Sequence, residues 1–557
     1  MEARQYTRSD LKAENGLVRI LKAEGVPWVS TFPVSGINNA CGEEGVPNLM
    51  MRTERFAVAV ADGFSRVSNG KGIGVCSVMG GLNAAGLQVA YGAVAQAYED
   101  SVPLLCLTDG VLASVYGRER FNIEDAFRSV TKWRGYINKA ERVPEYMRRA
   151  FTQLKTGRPS PVLLSLPRGL GQYDEEEFAY TPVQGWRSQG DPGDVEKAVK
   201  ALRAARSPLL WVGQGVFSSD ACRELLNFAE LAQLPVLTTL KAKSAFPEDH
   251  PLSLGVRGEP AERFLRKADL VLAVGVGFTP SHFMHDIPDA AGKKIIQCTV
   301  DESDVNCDYA VDHVVLGDAK LVLRQLAAEL ERQGAPKNNE ALVKEIEDSW
   351  RVLHEKYGPW MESGERLVNP YRVYAELMNV LDMENSFVTH ESGNTRDQLS
   401  TVYRARVPHG FLGWGNVSTL GYGLGAALGA KLAMPGRQVI SVTGDAGVGY
   451  QMGNWEAMVR NEMGITTVHI NNDGFGGYGP GFWGPGHSPY TSEVTSHEVQ
   501  SSARVAEGLG IQSERVEDPD EVAPALKRAL KANSGNKPAL IEVICSKHPV
   551  YGGWIRE

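Results

Sequence analysis

The sequence predicts an α/β protein made of three parallel-sheet domains. Its 557 residues are about three times the length of a typical single domain. Short apolar runs rich in Val, Ile and Leu alternate with amphipathic helical patterns, which is typical of parallel α/β sheets. Many of the 59 glycines follow such runs, where the backbone turns sharply or approaches a phosphate.

Each predicted domain contains strand candidates separated by helical patterns. The predicted domains span residues 1–185, 190–335 and 368–557, and polar stretches join them as linkers. The strand candidates lie at 72–78, 102–108 and 162–167 in the first domain, 208–213 and 270–277 in the second, and 438–445, 466–473 and 539–546 in the third.

Composition excludes several classes of protein. Lys and Arg total 58 against 67 Asp and Glu, so the formal charge is -9, and neither nucleic acid nor an anionic membrane is expected as the main partner. No apolar stretch reaches 18 residues, so no membrane span is expected. The seven cysteines form no CxxC pair and are interpreted as reduced core thiols. With a polar N-terminus, these features predict a cytoplasmic protein.

Oxygen ligands follow two neighbouring strand candidates in the third domain. Asp445 ends the strand candidate at 438–445, Asn472 lies at the end of the candidate at 466–473, and Gly474 follows it. Ligands of open parallel sheets bind at such strand ends. A carboxylate, an amide oxygen and a backbone carbonyl suit Mg²⁺, so Asp445, Asn472 and Gly474 are predicted metal ligands. The alternative is a plain turn with a capping Asp, and Gly444-Asp445 alone favours neither interpretation.

The spacing of these residues decides between the two interpretations. Gly444-Asp445-Ala446, followed by 24 residues and then Asn471-Asn472, resembles the GDG…NN diphosphate signature of the thiamin diphosphate enzymes. Ala446 replaces the second glycine of that signature. The resemblance implies that thiamin diphosphate is bound here through Mg²⁺.

A glutamate near the start of the chain matches a second signature of the same family. Arg52-Thr53-Glu54-Arg55 and the following FAVAVADGFSR resemble the family's RHE…ADGYAR segment, with Glu54 eight residues before Asp62. The resemblance implies that Glu54 hydrogen-bonds N1′ of the aminopyrimidine and promotes loss of the C2 proton. Thr53 stands where many members have His. Taken alone, Glu54 is better explained as an acidic residue at a helix N-terminus, and it is the Gly444–Asn472 unit that favours the catalytic interpretation.

Two further segments extend the resemblance. Residues 390–395 (HESGNT) resemble the first diphosphate-contacting turn, and residues 414–427 resemble GGLGAMGFGLPAA. In the second segment, Leu420 takes the place of the residue that separates the two cofactor rings, and the Ser418 carbonyl that of the acceptor for the 4′-amino group. The predicted cofactor-binding residues are Gly393, Asn394, Thr395, Ser418, Leu420, Gly444, Asp445, Ala446, Gly447, Asn472, Gly474 and Phe475.

Within the family, the chain most resembles the acetolactate synthase, acetohydroxyacid synthase and carboligase branch. AQAYEDSVPLLCLT at 95–108 is similar to that branch's ATAYMDSIPMVAIT. Asp109 and Asn122 stand where the branch commonly has Gln, on the substrate side of the pocket, so pyruvate is not assured. A carboligase acting on 2-oxo acids is the first hypothesis. A 2-oxo acid decarboxylase, or a lyase acting on a 2-hydroxyketone or a 2-hydroxyacyl-CoA, is the second.

The central domain resembles the nucleotide-holding domain of acetohydroxyacid synthases. Gly275-Val276-Gly277-Phe278 lacks the arginine that FAD-binding members have there, which disfavours FAD. Tyr478, Phe482, Trp483 and His487, in a loop with seven glycines from 474 to 486, are interpreted either as a lid or as a subunit contact.

The resemblance also concerns assembly. It implies a homodimer or homotetramer whose active sites are shared between subunits, Glu54 coming from one chain and Asp445 from the other. A non-catalytic cofactor-binding relative is the alternative of another class, and it would leave Glu54 without a task.

Overall fold

A computed structural model describes residues 11–336, 338–474, 497, 500–548 and 550–556. The chain divides into two compact units, Met1–Trp186 with Leu428–Ala433 and Arg187–Ala427 with Met434–Glu557. Every strand pair within the three sheets is parallel, which confirms the predicted α/β class with three parallel sheets.

The first unit contains a six-stranded sheet of order β2-β1-β3-β4-β6-β5. Its strands are β1 Val29–Thr31, β2 Asn48–Met50, β3 Gly74–Val78, β4 Leu104–Thr108, β5 Trp133–Tyr136 and β6 Val162–Ser165. Its helices are α1 Ala13–Ala23, α2 Ser35–Glu43, α3 Glu54–Val67, α4 Ala85–Glu99, α5 Ile123–Ala126 and α6 Val143–Lys155. Helix α3 packs directly against β3, because a Cβ atom on Gly74 would lie 1.9 Å from the Ala61 carbonyl oxygen.

The second unit contains two sheets, of which the first has five strands in the order β11-β10-β9-β7-β8. These strands are β7 Pro208–Val212, β8 Val236–Thr238, β9 Leu270–Val274, β10 Lys294–Thr299 and β11 His313–Leu316. The helices of this part are α7 Pro192–Ala204, α8 Gly215–Ser218, α9 Cys222–Ala232, α10 Glu259–Lys267, α11 Ala319–Gln333 and α12 Glu340–Met361. Buried Leu, Val and Ala side chains from these strands and helices form the core of this part of the chain.

The other sheet of this unit has six strands in the order β13-β12-β14-β15-β17-β16. The strands are β12 Ser386–His390, β13 Phe411–Leu412, β14 Gln438–Gly444, β15 Ile465–Asn471, β16 Gln512–Val516 and β17 Ala539–Ile544. The helices are α13 Pro370–Val380, α14 Asn394–Val402, α15 Tyr422–Ala433, α16 Asp445–Arg460, α17 Ser502–Gly508 and α18 Val522–Ser534, and the last part of α15, Leu428–Ala433, is counted with the first unit.

The structure also describes the cysteines and the apolar character of the helices. All seven cysteines are free, and five are buried as predicted, but Cys222 is half-buried and Cys307 is exposed. Among the described residues, no helix combines the length and apolar character that a bilayer crossing requires.

Candidate functional site

The carboxyl ends of three adjacent strands place the predicted cofactor residues of the second unit together. Strand β14 lies between β12 and β15, with His390 in register with Val442 and Gly444 in register with Ile470. The turns that follow these strands therefore lie at one edge of the sheet, where parallel α/β sheets bind ligands. A Cβ atom on Gly444 would lie 3.9 Å from Thr395 Cγ2, so the turns after β12 and β14 are close neighbours.

Asp445 is held rigidly at the start of α16. Its Oδ2 accepts hydrogen bonds from the backbone N–H groups of Asn472 at 3.1 Å and Gly474 at 3.2 Å. Its Oδ1 lies 3.0 Å from His469 Nε2, and the other ring nitrogen of His469 is 2.8 Å from Ser502 Oγ. Asp445 is 3% exposed, so these partners fix the direction of a buried carboxylate.

Three oxygen-bearing groups converge where the metal ligands were predicted. The Asn472 side-chain amide has one terminal atom 2.7 Å from both Asp445 Oδ2 and the Gly474 carbonyl oxygen. An amide oxygen in that position faces two acceptors, an arrangement that is favourable only around a cation. If the amide is rotated by 180°, its nitrogen donates hydrogen bonds to both oxygens. The three groups can then bind one another without a cation. Among the described residues, no three His, Cys, Asp or Glu side chains form a metal-binding group.

The turn after β12 begins helix α14 at Asn394. Gly393 has φ +94°, which favours glycine, and Thr395 Oγ1 donates to the Glu391 carbonyl oxygen at 2.9 Å. The side-chain nitrogen of Asn394 is buried and has no hydrogen-bond partner in the described part of the chain. A buried donor of this kind is rare in folded proteins, and a bound ligand oxygen is one way to satisfy it.

Glu391 is a buried carboxylate beneath these turns that sequence reasoning did not single out. It accepts from the Ser392 N–H at 2.9 Å, the Gln451 side-chain amide at 2.7 Å and the Gly423 N–H at 3.4 Å. Burial raises the pKa of Glu391 to about 7, although these donors favour its charged form. The group therefore titrates near neutral pH.

The close approach of Glu391 explains why residue 447 is a glycine. A Cβ atom on Gly447 would lie 2.3 Å from Glu391 Cγ and 2.6 Å from Thr443 Oγ1, so only glycine lets α16 approach so closely. Ala446, beside it, is half-buried at the same helix start. The first turn of α16 thus combines predicted cofactor residues with a packing requirement that the family signature does not reveal.

Ser418 and Leu420 lie on the loop before α15, and both are half-buried. Ser418 has φ +58°, an uncommon conformation for serine, and its Oγ lies 2.5 Å from Ser392 Oγ. The loop is therefore tied to the turn after β12. Phe475 and the aromatic residues of 478–487 lie outside the described residues.

Glu54 belongs to the first unit and is described there by itself. It is the first residue of α3, after the N-cap Thr53, whose Oγ1 accepts from the Phe56 N–H at 3.2 Å. The Glu54 side chain is 8% exposed, and a Cβ atom on Gly86 would lie 3.0 Å from its Oε1. Within the described residues, no hydrogen bond to this carboxylate is found. A bound ligand could supply the hydrogen-bond donor that this buried carboxylate lacks among the described residues of its own unit.

Comparison with known proteins identifies the family. The N-terminal TPP binding domain of thiamine pyrophosphate enzymes matches residues 11–129, the central domain matches 195–326, and the C-terminal TPP binding domain matches 391–543. A probable acetolactate synthase large subunit of Methanocaldococcus jannaschii is 31% identical over 96% of this chain and 92% of its own length. The chain belongs to the thiamine pyrophosphate enzymes.

More distant relatives agree with the predicted branch. The acetolactate synthase large subunit of Haemophilus influenzae is 28% identical over 95% of this chain and 93% of its own length. A glyoxylate carboligase of Escherichia coli O157:H7 is 28% identical over 96% of this chain and 93% of its own length. The chain is thus a thiamin diphosphate-dependent enzyme of the acetolactate synthase-like carboligase branch, which confirms the predicted family and enzyme class.

Several residues of this thiamin diphosphate enzyme could not be found from its signatures. His469 occupies an ordinary strand position, and only the fold places its ring against Asp445. Arg396 donates to Ser418 Oγ at 3.1 Å, across 22 positions of sequence. The one sequence signal for Glu391 was its place in the segment at 390–395, where it was not assigned a role.

Proposed function

We propose that this enzyme uses thiamin diphosphate and Mg²⁺ to decarboxylate a 2-oxo acid and to transfer the acyl unit to a carbonyl acceptor. The observation that carries the proposal is that the Asp445 carboxylate, the Asn472 side-chain amide and the Gly474 carbonyl lie together at the carboxyl ends of β14 and β15. The names of its relatives, acetolactate synthase and glyoxylate carboligase, support carboligation as the reaction type.

The residues of the second unit fit a cofactor bound through its diphosphate. Asp445, Asn472 and Gly474 would hold Mg²⁺ through three hard oxygens, leaving other positions for water and phosphate oxygens. The turn at Gly393–Thr395 would donate to the diphosphate, and the unpaired Asn394 nitrogen supports that role. Gly444, Ala446 and Gly447 would present N–H groups at the positive end of α16.

The chemistry of the reaction is divided between the cofactor and the chain. When bound, thiamin diphosphate stabilises negative charge at the former carbonyl carbon, and Mg²⁺ neutralises its diphosphate. Glu54 would hold a proton at N1′ of the aminopyrimidine, since it is a buried acid without a partner among the described residues of its unit. The Ser418 carbonyl would accept from the 4′-amino group, and Leu420 would keep the two rings apart.

FAD is not included in the proposed function. Position 277, where FAD-binding members have arginine, is a glycine, and a Cβ atom there would lie 3.1 Å from both carboxylate oxygens of Asp304. A larger side chain would therefore displace a buried carboxylate. The shared assembly is retained as part of the proposal, with Glu54 and Asp445 of one active site coming from different chains.

The test is an assay of the purified protein with thiamin diphosphate, Mg²⁺ and a panel of 2-oxo acids that includes pyruvate and glyoxylate. We expect CO₂ release together with a C–C coupled product, and loss of both in Glu54→Gln. Release of CO₂ with only the free aldehyde would identify a decarboxylase instead. Cleavage of a C–C bond in a 2-hydroxyacyl-CoA or a 2-hydroxyketone without CO₂ release would identify a lyase.

A further inference from the structure

A buried arginine cluster lies beside the loop that contains Ser418. Arg396 donates from Nε to Asp397 Oδ1 at 3.2 Å and from Nη2 to Asp397 Oδ2 at 3.0 Å. Its Nη1 donates to Ser418 Oγ at 3.1 Å. A guanidinium has five N–H groups, so each terminal nitrogen carries a second hydrogen beyond these three bonds.

The cluster has more positive than negative charge. Arg257 Nη1 also donates to Asp397 Oδ1, at 2.7 Å, so two guanidinium groups share one carboxylate. The Arg257 side chain is fully buried and that of Arg396 is 6% exposed. Although burial opposes its ionisation, the two cations hold the pKa of Asp397 below its usual range. A buried surplus of positive charge is costly, and an anion placed against it would offset that cost.

The two arginines differ in what covers them. The Arg257 guanidinium lies 4.2 Å from the centre of the Trp554 ring and 5.1 Å from that of Tyr551, so the aromatic C-terminal segment encloses it. The Arg396 guanidinium stacks on one ring, Phe283, at 3.6 Å. Stacking covers a face of the guanidinium and leaves its edge for in-plane hydrogen bonds, the geometry that matches a carboxylate.

Hydroxyl groups extend the polar surface next to Arg396. Ser392 Oγ and Ser418 Oγ are 2.5 Å apart, and both residues are half-buried. The bond from Arg396 to Ser418 and the contact between the two hydroxyls place the guanidinium between the loop at 415–420 and the turn after β12. A small carboxylate bound there would accept hydrogen bonds from one guanidinium and from hydroxyl groups.

We propose that Arg396, with the hydroxyls of Ser392 and Ser418, forms a carboxylate-binding subsite that holds the acid group of the substrate. This inference rests on the proposed function, because it assigns the subsite to a 2-oxo acid. Asp397 and Phe283 position the guanidinium. The subsite favours substrates that carry a carboxylate and does not distinguish between their other substituents.

The test uses the full chain loaded with thiamin diphosphate and Mg²⁺, and two probes of equal size. Oxamate is an unreactive carboxylate with the shape of pyruvate, and oxamide is its neutral counterpart. By calorimetry, Arg396→Gln is expected to weaken oxamate binding by at least about tenfold, since hydrogen bonds to a charged group are lost. Oxamide affinity should not change, and Arg396→Lys should lose less than Arg396→Gln.

Arg257 provides the matched control, because it shares Asp397 but does not bond to Ser418. Arg257→Lys should lower the melting temperature and leave oxamate affinity within about twofold of the parent. Equal loss of oxamate affinity in Arg257→Lys and Arg396→Lys would show a structural role and overturn the proposal. If Arg396→Gln does not fold, the comparison of the two Lys variants decides alone.

The remaining outcomes separate this inference from the proposed function. A parent protein that binds thiamin diphosphate but not oxamate has no such subsite, and the proposal is then wrong. Loss of thiamin diphosphate affinity in Arg396→Gln, with oxamate affinity retained, would assign the guanidinium to the cofactor and also overturn it. Failure of the proposed function itself shows differently, as a parent that does not bind thiamin diphosphate at all.

Discussion

Two buried carboxylates at the strand ends of the second unit have different surroundings and different tasks. Asp445 receives two backbone N–H groups and faces His469, so a charged carboxylate is well accommodated and can bind a cation. Glu391 is 0% exposed, and burial raises its pKa to about 7 despite the hydrogen-bond donors around it. We therefore interpret Asp445 as a metal ligand and Glu391 as a positioning residue that holds the turns around it.

The role of Glu54 can be separated from cofactor binding. Glu54→Gln preserves the shape of the side chain but cannot hold a proton at N1′ in the same way. A positioned acid–base group contributes about 10²–10⁴ in rate, so exchange of the C2 proton with deuterium should slow by that factor. Quenched NMR measures the exchange, and calorimetry should show cofactor affinity little changed. Equal exchange rates in parent and variant would refute the assignment.

Glu391 makes stability depend on pH near neutrality. Its pKa is about 7 in the folded protein against an ordinary value of 4.5, so the folded state holds this proton more tightly. The tighter proton binding stabilises the folded state fully at pH values below 4.5. This contribution to the free energy of unfolding is lost as pH rises through about 7, a change on the order of 3 kcal/mol. When the pH is raised from 5 to 7.5 without cofactor, the melting temperature of the parent should therefore fall more than that of Glu391→Gln, because the Gln side chain does not titrate.

The control for this prediction is the parent measured over the same pH range in the same buffers, since all other groups titrate alike in both proteins. A constant difference in melting temperature between parent and Glu391→Gln would contradict the raised pKa.

At the scale of elements, the start of α16 is fixed by a close contact with the turn after β12. Gly447→Ala would place a methyl carbon 2.3 Å from Glu391 Cγ, so the helix start or the glutamate must move. Overpacking of this kind costs about 1–3 kcal/mol. Gly449→Ala, two residues along α16, is the matched control because no heavy atom lies within 4 Å of the added carbon.

Calorimetric melting distinguishes the two glycines. Gly449→Ala should raise the melting temperature slightly, since alanine is favoured over glycine in a helix by about 0.5–1 kcal/mol. Gly447→Ala should lower it and weaken thiamin diphosphate binding. Similar melting temperatures in both variants would show that the contact between α16 and Glu391 is not tight.

The strand candidates could be recognised because each is a short apolar run that ends in a polar or glycine-rich turn, whereas polar strands such as β16 Gln512–Val516 were not predicted. The run at 438–445 becomes β14, and the run at 466–473 becomes β15 with its end at Asn471. The predicted candidate at 270–277 is shorter in the structure, because β9 ends at Val274 before the turn at Gly275, where φ is +66°. Apolar character identifies a strand, whereas its end depends on backbone conformation.

Side-chain pairs between distant elements were not predictable from the sequence. Arg257 and Asp397 are 140 positions apart, and Ser392 and Ser418 are 26 apart, in segments with no shared pattern. The metal ligands could be proposed because the family signature names their residue types and spacing. The arginine cluster belongs to no such signature, and the fold alone places its members together.

At the scale of the whole molecule, the number and class of sheets followed from length and from the alternation of strand and helix patterns. Three parallel sheets lie within residues 29–165, 208–316 and 386–544. Because every strand pair is parallel, every connection must cross over the sheet, which explains the regular helices between strands. The assembly of chains is not a property of one chain's pattern and stays a prediction from the resemblance.

The shared active site predicts complementation between inactive subunits. Glu54→Gln and Asp445→Asn should each be inactive alone. When they exchange subunits, about half of the dimers are mixed, and each mixed dimer has one site with neither defect. About a quarter of the parent activity should then return, measured as CO₂ release. Subunit exchange confirmed by mass spectrometry without any return of activity would contradict the shared site.

The most direct test of the central claim is a calorimetric titration of cofactor-free protein with thiamin diphosphate, with Mg²⁺ and with a chelator. We expect saturable binding that requires Mg²⁺ in the parent. In Asp445→Asn it should be weakened by about tenfold or more, because a charged ligand of the ion is lost. Binding of equal affinity in parent and Asp445→Asn, or binding unaffected by the chelator, would contradict the proposed metal site.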